Sequence, residues 1–298
     1  MRAKPAVLER SEGRRREDGR DEEYPFRRRP GERLRKDAWQ LLSLPLLLFI
    51  AIPVLAIFAR LSPADFLTGL RQEETLKAVQ LSLVTSLCTV LLTLLFGTPV
   101  AYLLYRPRSI LSRILDTLID LPTVLPPAVA GVALLMAFGR GGLLGGAFSA
   151  LGLQIPFTTA AVILAQTFIA APLYVKSAAL GFAAVDCELK KAAALDGANR
   201  WQVFRYILLP LAWMPMFSGS ILTWARALGE FGATILFAGN FPGRTQTMPL
   251  AIYIGFEIDL KAALTLSAVL ICVSFGVLAL VKWILQERLA EPSREETD

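Results

Sequence analysis

The sequence lacks several groups on which enzymatic chemistry commonly depends. It has no histidine among its 298 residues, which excludes histidine-dependent catalysis and the usual histidine-containing zinc sites. Its three cysteines, Cys88, Cys187 and Cys272, lie far apart and form no paired metal-binding motif. A phosphate-binding loop of the form G-x-x-x-x-G-K-[ST] is also missing. If the protein moves a solute with ATP, another chain must hydrolyse the nucleotide.

Charged residues are scarce as well. They make up 19% of the chain, hydrophobic residues make up 54%, and the mean hydropathy is +0.52. This composition is typical of an integral membrane protein. A helix that crosses the hydrocarbon core needs about 20 apolar residues. The uncharged runs are Ala38–Ala59, Ala78–Tyr105, Leu121–Gly139, Gly141–Val175, Tyr206–Ala225 and Ala262–Val281. We therefore predict an all-α membrane protein with six transmembrane helices.

The later spans need more exact boundaries. The run 141–175 begins with a glycine-rich stretch that ends at Pro156, which is typical of a loop or re-entrant turn. We expect the fourth span at about 157–175, with the chain leaving the membrane near Lys176. The fifth span is predicted as continuous over about 207–238, and residues 239–259 as an external connection.

The distribution of charge divides the chain into three regions. Residues 1–37 mix arginine clusters with acidic residues and have almost no apolar pattern, so we predict a disordered tail. Residues 38–286 form the predicted membrane domain, and residues 287–298 form a charged C-terminal tail. Lys and Arg are concentrated in both tails, in the connection after the second span and in residues 183–206. This bias predicts that these segments, with both termini, are cytoplasmic.

The positive charge also bears on the expected partners. The net charge is +6, but topology accounts for it better than a nucleic-acid recognition face does, and we expect no nucleic-acid partner. The clustered arginines of residues 1–37 either contact anionic lipid headgroups or serve only to orient the chain in the membrane.

The central loop (residues 186–210) mixes charges of both signs between two long apolar runs. Its small residues Ala192 and Ala193 would let another protein surface approach closely, and Gly197 has the backbone freedom to turn the chain. Pro210 stands near the start of the next span, where a missing backbone donor costs least. We predict a water-exposed helix–turn–helix, which either docks on a partner or is an ordinary connecting loop.

The spacing in the central loop resembles the EAA loop of ABC-transporter permeases. The family pattern is Glu-Ala-Ala, three residues, Gly, nine residues, Ile, any residue and Leu-Pro. Here it runs from Lys191 to Pro210, with Lys191 in the position of the family's Glu. The resemblance implies that the loop couples the permease to an ATPase subunit. The residues assigned to this coupling role are Glu188, Lys191, Ala192, Ala193, Asp196, Gly197, Ile207 and Pro210.

Three prolines lie close together between Asp120 and Pro127. Each removes a backbone donor and clashes with the preceding turn, so a regular lipid-facing helix cannot pass through this segment. Irregular backbone at membrane depth is tolerated only against protein or a water-filled cavity. The segment is either part of a translocation pathway, with Thr123 and Pro126 as candidate residues, or the kinked start of a packed helix.

Arg226 and Glu230 are spaced i, i+4 in the predicted fifth span. Charges at membrane depth are costly, which marks the two residues either as part of a functional site or as a structural ion pair. The surrounding residues 226–249 read RALGEFGATILFAGNFPGRTQTMP. This stretch is similar to the corresponding region of molybdate permeases of the ModB type, and sulfate permeases share its R-A-x-G-E core.

The resemblance implies the architecture of a type I ABC importer permease. Such a permease is a homodimer with one pathway between its copies, two cytoplasmic ATPase subunits on its loops and an external binding protein that delivers an oxyanion. ATP and Mg²⁺ would be used by the ATPase subunit, while this chain is expected to bind no cofactor or metal and to catalyse no reaction. A tetrahedral dianion could be solvated by hydroxyl groups along its route, so the pathway candidates also include Thr223, Arg226, Glu230 and Thr234.

Other functions remain open on this sequence. Within transport, the solute could be sulfate, thiosulfate or tungstate. A passive anion channel would pass its solute without nucleotide, and a membrane-embedded enzyme would need a cluster of catalytic groups at one depth.

Overall fold

The computed structural model describes residues 30–105 and 110–290. Every regular element in these two ranges is a helix. The chain divides into two units after Pro53, and the described part of the first unit is the beginning of helix α1, Pro30–Arg60. The predicted disordered tail therefore lies outside the described residues up to residue 29, and its last residues belong to α1. The predicted tail 287–298 is described only up to residue 290, where it is helical.

The second unit begins at Val54 and contains the remaining elements. Its first half holds α2 (Pro63–Arg71), α3 (Glu73–Leu104), α4 (Ile110–Val124), α5 (Pro127–Phe138), α6 (Gly145–Ala150) and α7 (Thr159–Ala184). Its second half holds α8 (Cys187–Leu195), α9 (Arg200–Val203), a π-helix π1 (Phe204–Leu208), α10 (Leu209–Leu211), α11 (Trp213–Leu228), α12 (Gly232–Phe237), α13 (Met248–Ile258) and α14 (Leu260–Ala290).

The described helices supply up to six membrane spans. Within α1, α3, α7 and α14, the apolar stretches are long enough to cross a bilayer by themselves. Two bent pairs provide further spans: α4 with α5, at a bend of 119°, and the α9–α10 segment with α11, at a bend of 69°. The predicted count of six agrees with the structure when each bent pair is counted as one span. The first bend lies at the prolines that the sequence marked as a break.

Helix α7 is the central element of the second unit. It packs against α3, α4, α5, α11 and α12. Its contact with α11 includes two hydrogen bonds to backbone carbonyls: Ser177 donates to Pro215 O at 2.6 Å, and Thr223 donates to Ala170 O at 3.2 Å. In the apolar bilayer such bonds satisfy polar groups that water cannot reach.

Two predicted span boundaries are wrong. The fourth span does not end near Val175, because α7 continues to Ala184 and the charge of Lys176 is paired with carboxylates of α4. The fifth span is not continuous to Ala238. Helix α11 ends at Leu228, and the chain turns so that the Glu230 carboxylate can accept the backbone N–H of Ala233.

The predicted external connection 239–259 has regular structure of its own. It contains the apolar helix α13, which is too short to cross the bilayer and packs against α14 and α3.

Candidate functional site

The first half of the central loop is a short exposed helix with well-defined ends. The Asp186 side chain caps α8 by accepting the N–H of Glu188 at 2.8 Å. Gly197 closes the helix in the left-handed conformation, at φ +85°. The N–H of Gly197 donates to Ala194 O at 3.2 Å and that of Ala198 donates to Ala193 O at 2.9 Å, which is the Schellman arrangement. These bonds satisfy two of the last carbonyls of the helix and fix where it ends.

The second half of the loop leads into the membrane through a π-helix. Asn199 and Gln202 form a reciprocal capping box at the start of α9. In π1, the N–H of Leu209 donates to Phe204 O, one residue further back than in an α-helix. The wider turn accommodates Pro210, which has no N–H to donate. The chain then bends at Ala212 into α11.

The base of the central loop is anchored in a buried core. Leu208 and Ala212 are fully buried in the same cluster as Tyr174 and Phe182 of α7 and Ala101 of α3. The loop therefore contacts both of these spans through close-packed side chains.

Aromatic rings extend this anchor. The Phe204 ring lies 5.0 Å from Tyr102 of α3, 5.9 Å from Phe182 of α7 and 5.5 Å from Trp201. A displacement of π1 would have to move these rings, and with them the ends of α3 and α7.

The predicted coupling residues lie mostly on the exposed side of the loop. Helix α8 has no buried residue. Ala193 and Ile207 are partly buried, and the other predicted coupling residues are exposed: Glu188, Lys191, Ala192, Asp196, Gly197 and Pro210. A groove of 370 Å³ between α8 and π1 is lined partly by Asp196, Gln202 and Tyr206. Leu195 is 89% exposed, so the loop presents both polar and apolar groups to a partner.

Arg226 and Glu230 form an ion pair at the end of α11. Arg226 Nη1 donates to Glu230 Oε2 at 2.8 Å, and Glu230 Oε1 accepts the N–H of Ala233 at 2.9 Å. The Glu230 side chain is 1% exposed, whereas that of Arg226 is 38% exposed. The buried carboxylate therefore accepts two hydrogen bonds and links α11 to α12, while the guanidinium is partly exposed.

The four other predicted pathway residues differ in burial. Thr123 is exposed at the end of α4, where its hydroxyl donates to Asp120 O at 2.7 Å, and Pro126 is exposed at the break before α5. Thr223 and Thr234 are fully buried inside the chain. The Thr234 hydroxyl has no hydrogen-bond partner among the described residues.

The sequence reasoning missed a three-residue ion cluster. Lys176 of α7 contacts Asp116 and Asp120 of α4, with a distance of 2.8 Å to Asp120 Oδ2. The cluster holds the first half of the bent span against α7. The i, i+4 spacing of the two aspartates beside the proline-rich break could have indicated a charged site. Their partner Lys176, however, lies more than fifty positions away in the sequence.

A buried polar contact between α3 and α7 was missed as well. Thr89 donates to Gln166 Oε1 at 3.2 Å, and both residues are fully buried. Serine and threonine recur every three or four residues along α3, which places them on one helix face. That periodicity could have predicted a polar seam against another span.

In the described parts of the chain, no group of three or more Cys, Asp or Glu side chains is arranged to hold a metal ion.

The fold and the central loop define a class of protein. Up to six apolar spans, with an exposed loop anchored against two of them, define a multi-pass membrane protein. Residues 93–287 match the family described as "Binding-protein-dependent transport system inner membrane component". The chain belongs to this family and is an inner-membrane permease subunit of an ABC importer.

Curated relatives agree with this assignment. The chain is 42% identical to the molybdenum transport system permease protein ModB of Mycobacterium tuberculosis, over 76% of this chain and 86% of that protein. It is 39% identical to ModB of Escherichia coli K12, over 74% of this chain and 95% of that protein.

A subunit of the bacterial alginate ABC transporter, solved in complex with an alginate pentasaccharide-bound periplasmic protein, has a similar fold. The TM-score is 0.62 at 18% identity, covering 83% of this chain and 93% of that one. The predicted all-α ABC importer permease fold is thus confirmed.

Proposed function

We propose that this chain is the membrane-spanning subunit of an ATP-driven molybdate importer. In this proposal two copies form one pathway, two ATPase subunits bind the central loops, and an external binding protein delivers the oxyanion. The main support for molybdate as the substrate is the identity of 42% and 39% to two permeases named for molybdenum transport. The similarity of residues 226–249 to molybdate permeases supports the same substrate.

The first step of the mechanism is docking at the central loop. Helix α8 has no buried residue and is closed at both ends by hydrogen bonds, so it can enter a cleft of the ATPase as a rigid body. Its small face at Ala192 and Ala193 permits close approach. ATP and Mg²⁺ remain on the ATPase subunit, and both termini of this chain lie on the same cytoplasmic side as the loop.

The second step transmits the movement of the ATPase. When ATP closes the two ATPase subunits, each central loop moves with them. Phe204 and Leu208 pass this motion to α3 and α7 because they are packed against Tyr102 and Phe182. The spans then alternate between an outward-open and an inward-open arrangement. Selectivity is exercised mainly by the binding protein, and the route through the dimer conducts the anion without holding it tightly.

Molybdenum uptake tests the proposal directly. The chain, its ATPase and its binding protein would be expressed in a host without its own high-affinity system, and accumulation measured at trace external molybdate. We expect uptake that requires an intact ATPase and survives excess sulfate. The control is the same system with an ATPase variant that binds but does not hydrolyse ATP.

Each alternative function predicts another result. Uptake abolished by excess sulfate would assign the chain to sulfate, and equal competition by tungstate would broaden the substrate to both metal oxyanions. Uptake that is indifferent to the ATPase would identify a passive channel and would contradict the coupling role of the central loop.

A further inference from the structure

An apolar groove runs along the second unit beside the base of the central loop. It has a volume of 780 Å³. One wall is formed by α3, including Leu94, Leu95 and Leu103, and the other by Arg200, Trp201 and Phe204. Leu95 is 65% exposed and Trp201 is 67% exposed, so no described part of the chain fills the groove.

The apolar part of the groove suits a hydrocarbon chain. Its α3 wall belongs to a membrane span, where leucine side chains face a medium as apolar as themselves. Thr98 is a polar residue on this wall, but its hydroxyl donates to Leu94 O at 2.7 Å and lies 2.6 Å from the Tyr174 hydroxyl. Because this hydroxyl is already hydrogen-bonded, an acyl chain in the groove would leave it satisfied.

The second wall of the groove suits an anionic headgroup. Arg200 is exposed, and its guanidinium pairs with no carboxylate of the described residues. Trp201 lies next to it, and tryptophan is favoured at the boundary between water and hydrocarbon. The Tyr102 hydroxyl, also on the groove wall, has no hydrogen-bond partner in the described ranges. A cation, an interfacial aromatic ring and a free hydroxyl thus line the groove together with the leucines of α3.

We propose that this groove binds an anionic phospholipid, with its phosphate at Arg200 and an acyl chain between Leu95 and Phe204. Charge complementarity at Arg200 favours an anionic headgroup over a zwitterionic one, since arginine forms bidentate contacts with phosphate. The bound lipid lies between α3 and the base of the central loop, because Phe204 of the loop lines the groove and also packs against Tyr102 of α3. The headgroup composition of the membrane thereby influences the position of the coupling loop.

Native mass spectrometry of the full chain with its ATPase subunits tests the headgroup contact. The complex would be titrated with phosphatidylglycerol and, separately, with phosphatidylcholine. We expect tighter binding of phosphatidylglycerol, and a loss of about fivefold in its affinity in Arg200→Gln. Arg205→Gln is the matched control, because Arg205 is exposed on π1 but does not line the groove. Equal binding of both lipids, or unchanged binding in Arg200→Gln, would overturn the proposal.

A second pair of variants tests the groove itself without changing charge. Leu95→Trp places a larger ring in the groove and should exclude the acyl chain. Because the displaced lipid would also lose its headgroup contact, phosphatidylglycerol binding should fall by at least about fivefold. Leu91→Trp, at a similarly exposed position of α3 outside the groove, should leave binding unchanged.

A second copy of the chain is the competing occupant. Leu95→Cys, with the native cysteines replaced by serine and a photoactivatable cross-linker attached to the thiol, would reveal it. Efficient cross-linking from position 95 to the other copy would show that the partner permease covers the groove, and would overturn the lipid site. Absence of the cross-link supports it.

Discussion

Gly197 illustrates how a single residue controls the central loop. It has φ +85°, and a Cβ placed there would meet no atom within 4 Å. Substitution is therefore opposed by backbone conformation and not by a clash. In Gly197→Val the left-handed conformation should cost about 1–2 kcal/mol, which predicts roughly tenfold lower uptake at unchanged membrane abundance. Asparagine adopts this conformation more readily, so Gly197→Asn should retain uptake within about twofold of the wild type.

Gly152 provides the matched control for this prediction. It has φ +69° and open space around its Cβ position, but it precedes α7 and lies outside the central loop. Gly152→Val should carry similar strain and leave uptake within about twofold of the wild type, in line with tolerance of surface loops. Normal uptake by Gly197→Val would contradict the coupling role of the loop.

The buried ion pair makes a second prediction about single residues. Glu230 is buried while Arg226 is partly exposed. Removing one charge should therefore change stability by a different amount from removing the other. Arg226→Met leaves a buried carboxylate without its cation and should destabilise the protein by about 3 kcal/mol. Glu230→Gln keeps an acceptor for the N–H of Ala233 and leaves only the partly exposed Arg226 without its partner, so the loss should be nearer 1 kcal/mol.

A double-mutant cycle measures the coupling of these residues. Thermal unfolding in detergent would be compared for both single variants and for Arg226→Met combined with Glu230→Gln. We expect the double variant to be more stable than Arg226→Met alone, because the unpaired buried charge has been removed. Strictly additive losses would show that the two side chains do not depend on each other.

Among the helical elements, the crossing of α5 and α12 sets the geometry of the bent span. A Cβ on Gly131 would lie 2.9 Å from Ala233 O and 2.9 Å from Leu236 Cβ. Gly131→Ala should therefore push the helices apart and lower stability by about 1–3 kcal/mol, measured by thermal unfolding. Gly276→Ala, in α14 with open space around its Cβ position, is the control and should be neutral or slightly stabilising. Equal stability of the two variants would contradict the tight crossing.

The contact between α2 and α14 should respond to pH. Lys261 of α14 donates to Asp65 of α2 at 2.8 Å, and this bond, helped by Ser62, holds the pKa of Asp65 below its ordinary value. The pair therefore contributes stability above the ordinary pKa of an aspartate, and this contribution is lost as the pH falls through the lowered pKa. Asp65→Asn should lose stability at neutral pH and show a weaker decrease on acidification. An unchanged acid transition would rule out this contribution.

For the whole molecule, the native cysteines test the orientation of the chain. Cys187 is exposed at the start of α8, whereas Cys272 is exposed within the span α14. A charged maleimide that cannot cross the membrane should label Cys187 only when the cytoplasmic side is accessible, and bound ATPase should reduce the labelling. Ser149→Cys in a Cys187→Ser background should instead be labelled from outside. Labelling of Cys187 in intact cells would contradict the predicted cytoplasmic position of the central loop.

Much of this architecture could be predicted from the sequence, because membrane spans are specified locally. Each span must satisfy its own backbone hydrogen bonds within about 20 apolar residues, so its presence is visible in composition alone. The turn at Gly197 and the break at Pro126 are similarly local, since they depend on the conformational limits of glycine and proline. The family was also recognisable from the spacing of residues 191–210 and from residues 226–249.

The tertiary structure decided which distant residues meet. Lys176 meets Asp116 and Asp120 of another helix, which neutralise its charge, and α11 ends where the Glu230 carboxylate accepts a backbone N–H of the next helix. The burial of Thr223 and Thr234 likewise depends on the packing of neighbouring helices. A helix pattern specifies which face is apolar, but the energy of a buried charge or hydroxyl depends on the groups brought beside it. Those groups are set by the arrangement of the helices, which no short stretch of sequence contains.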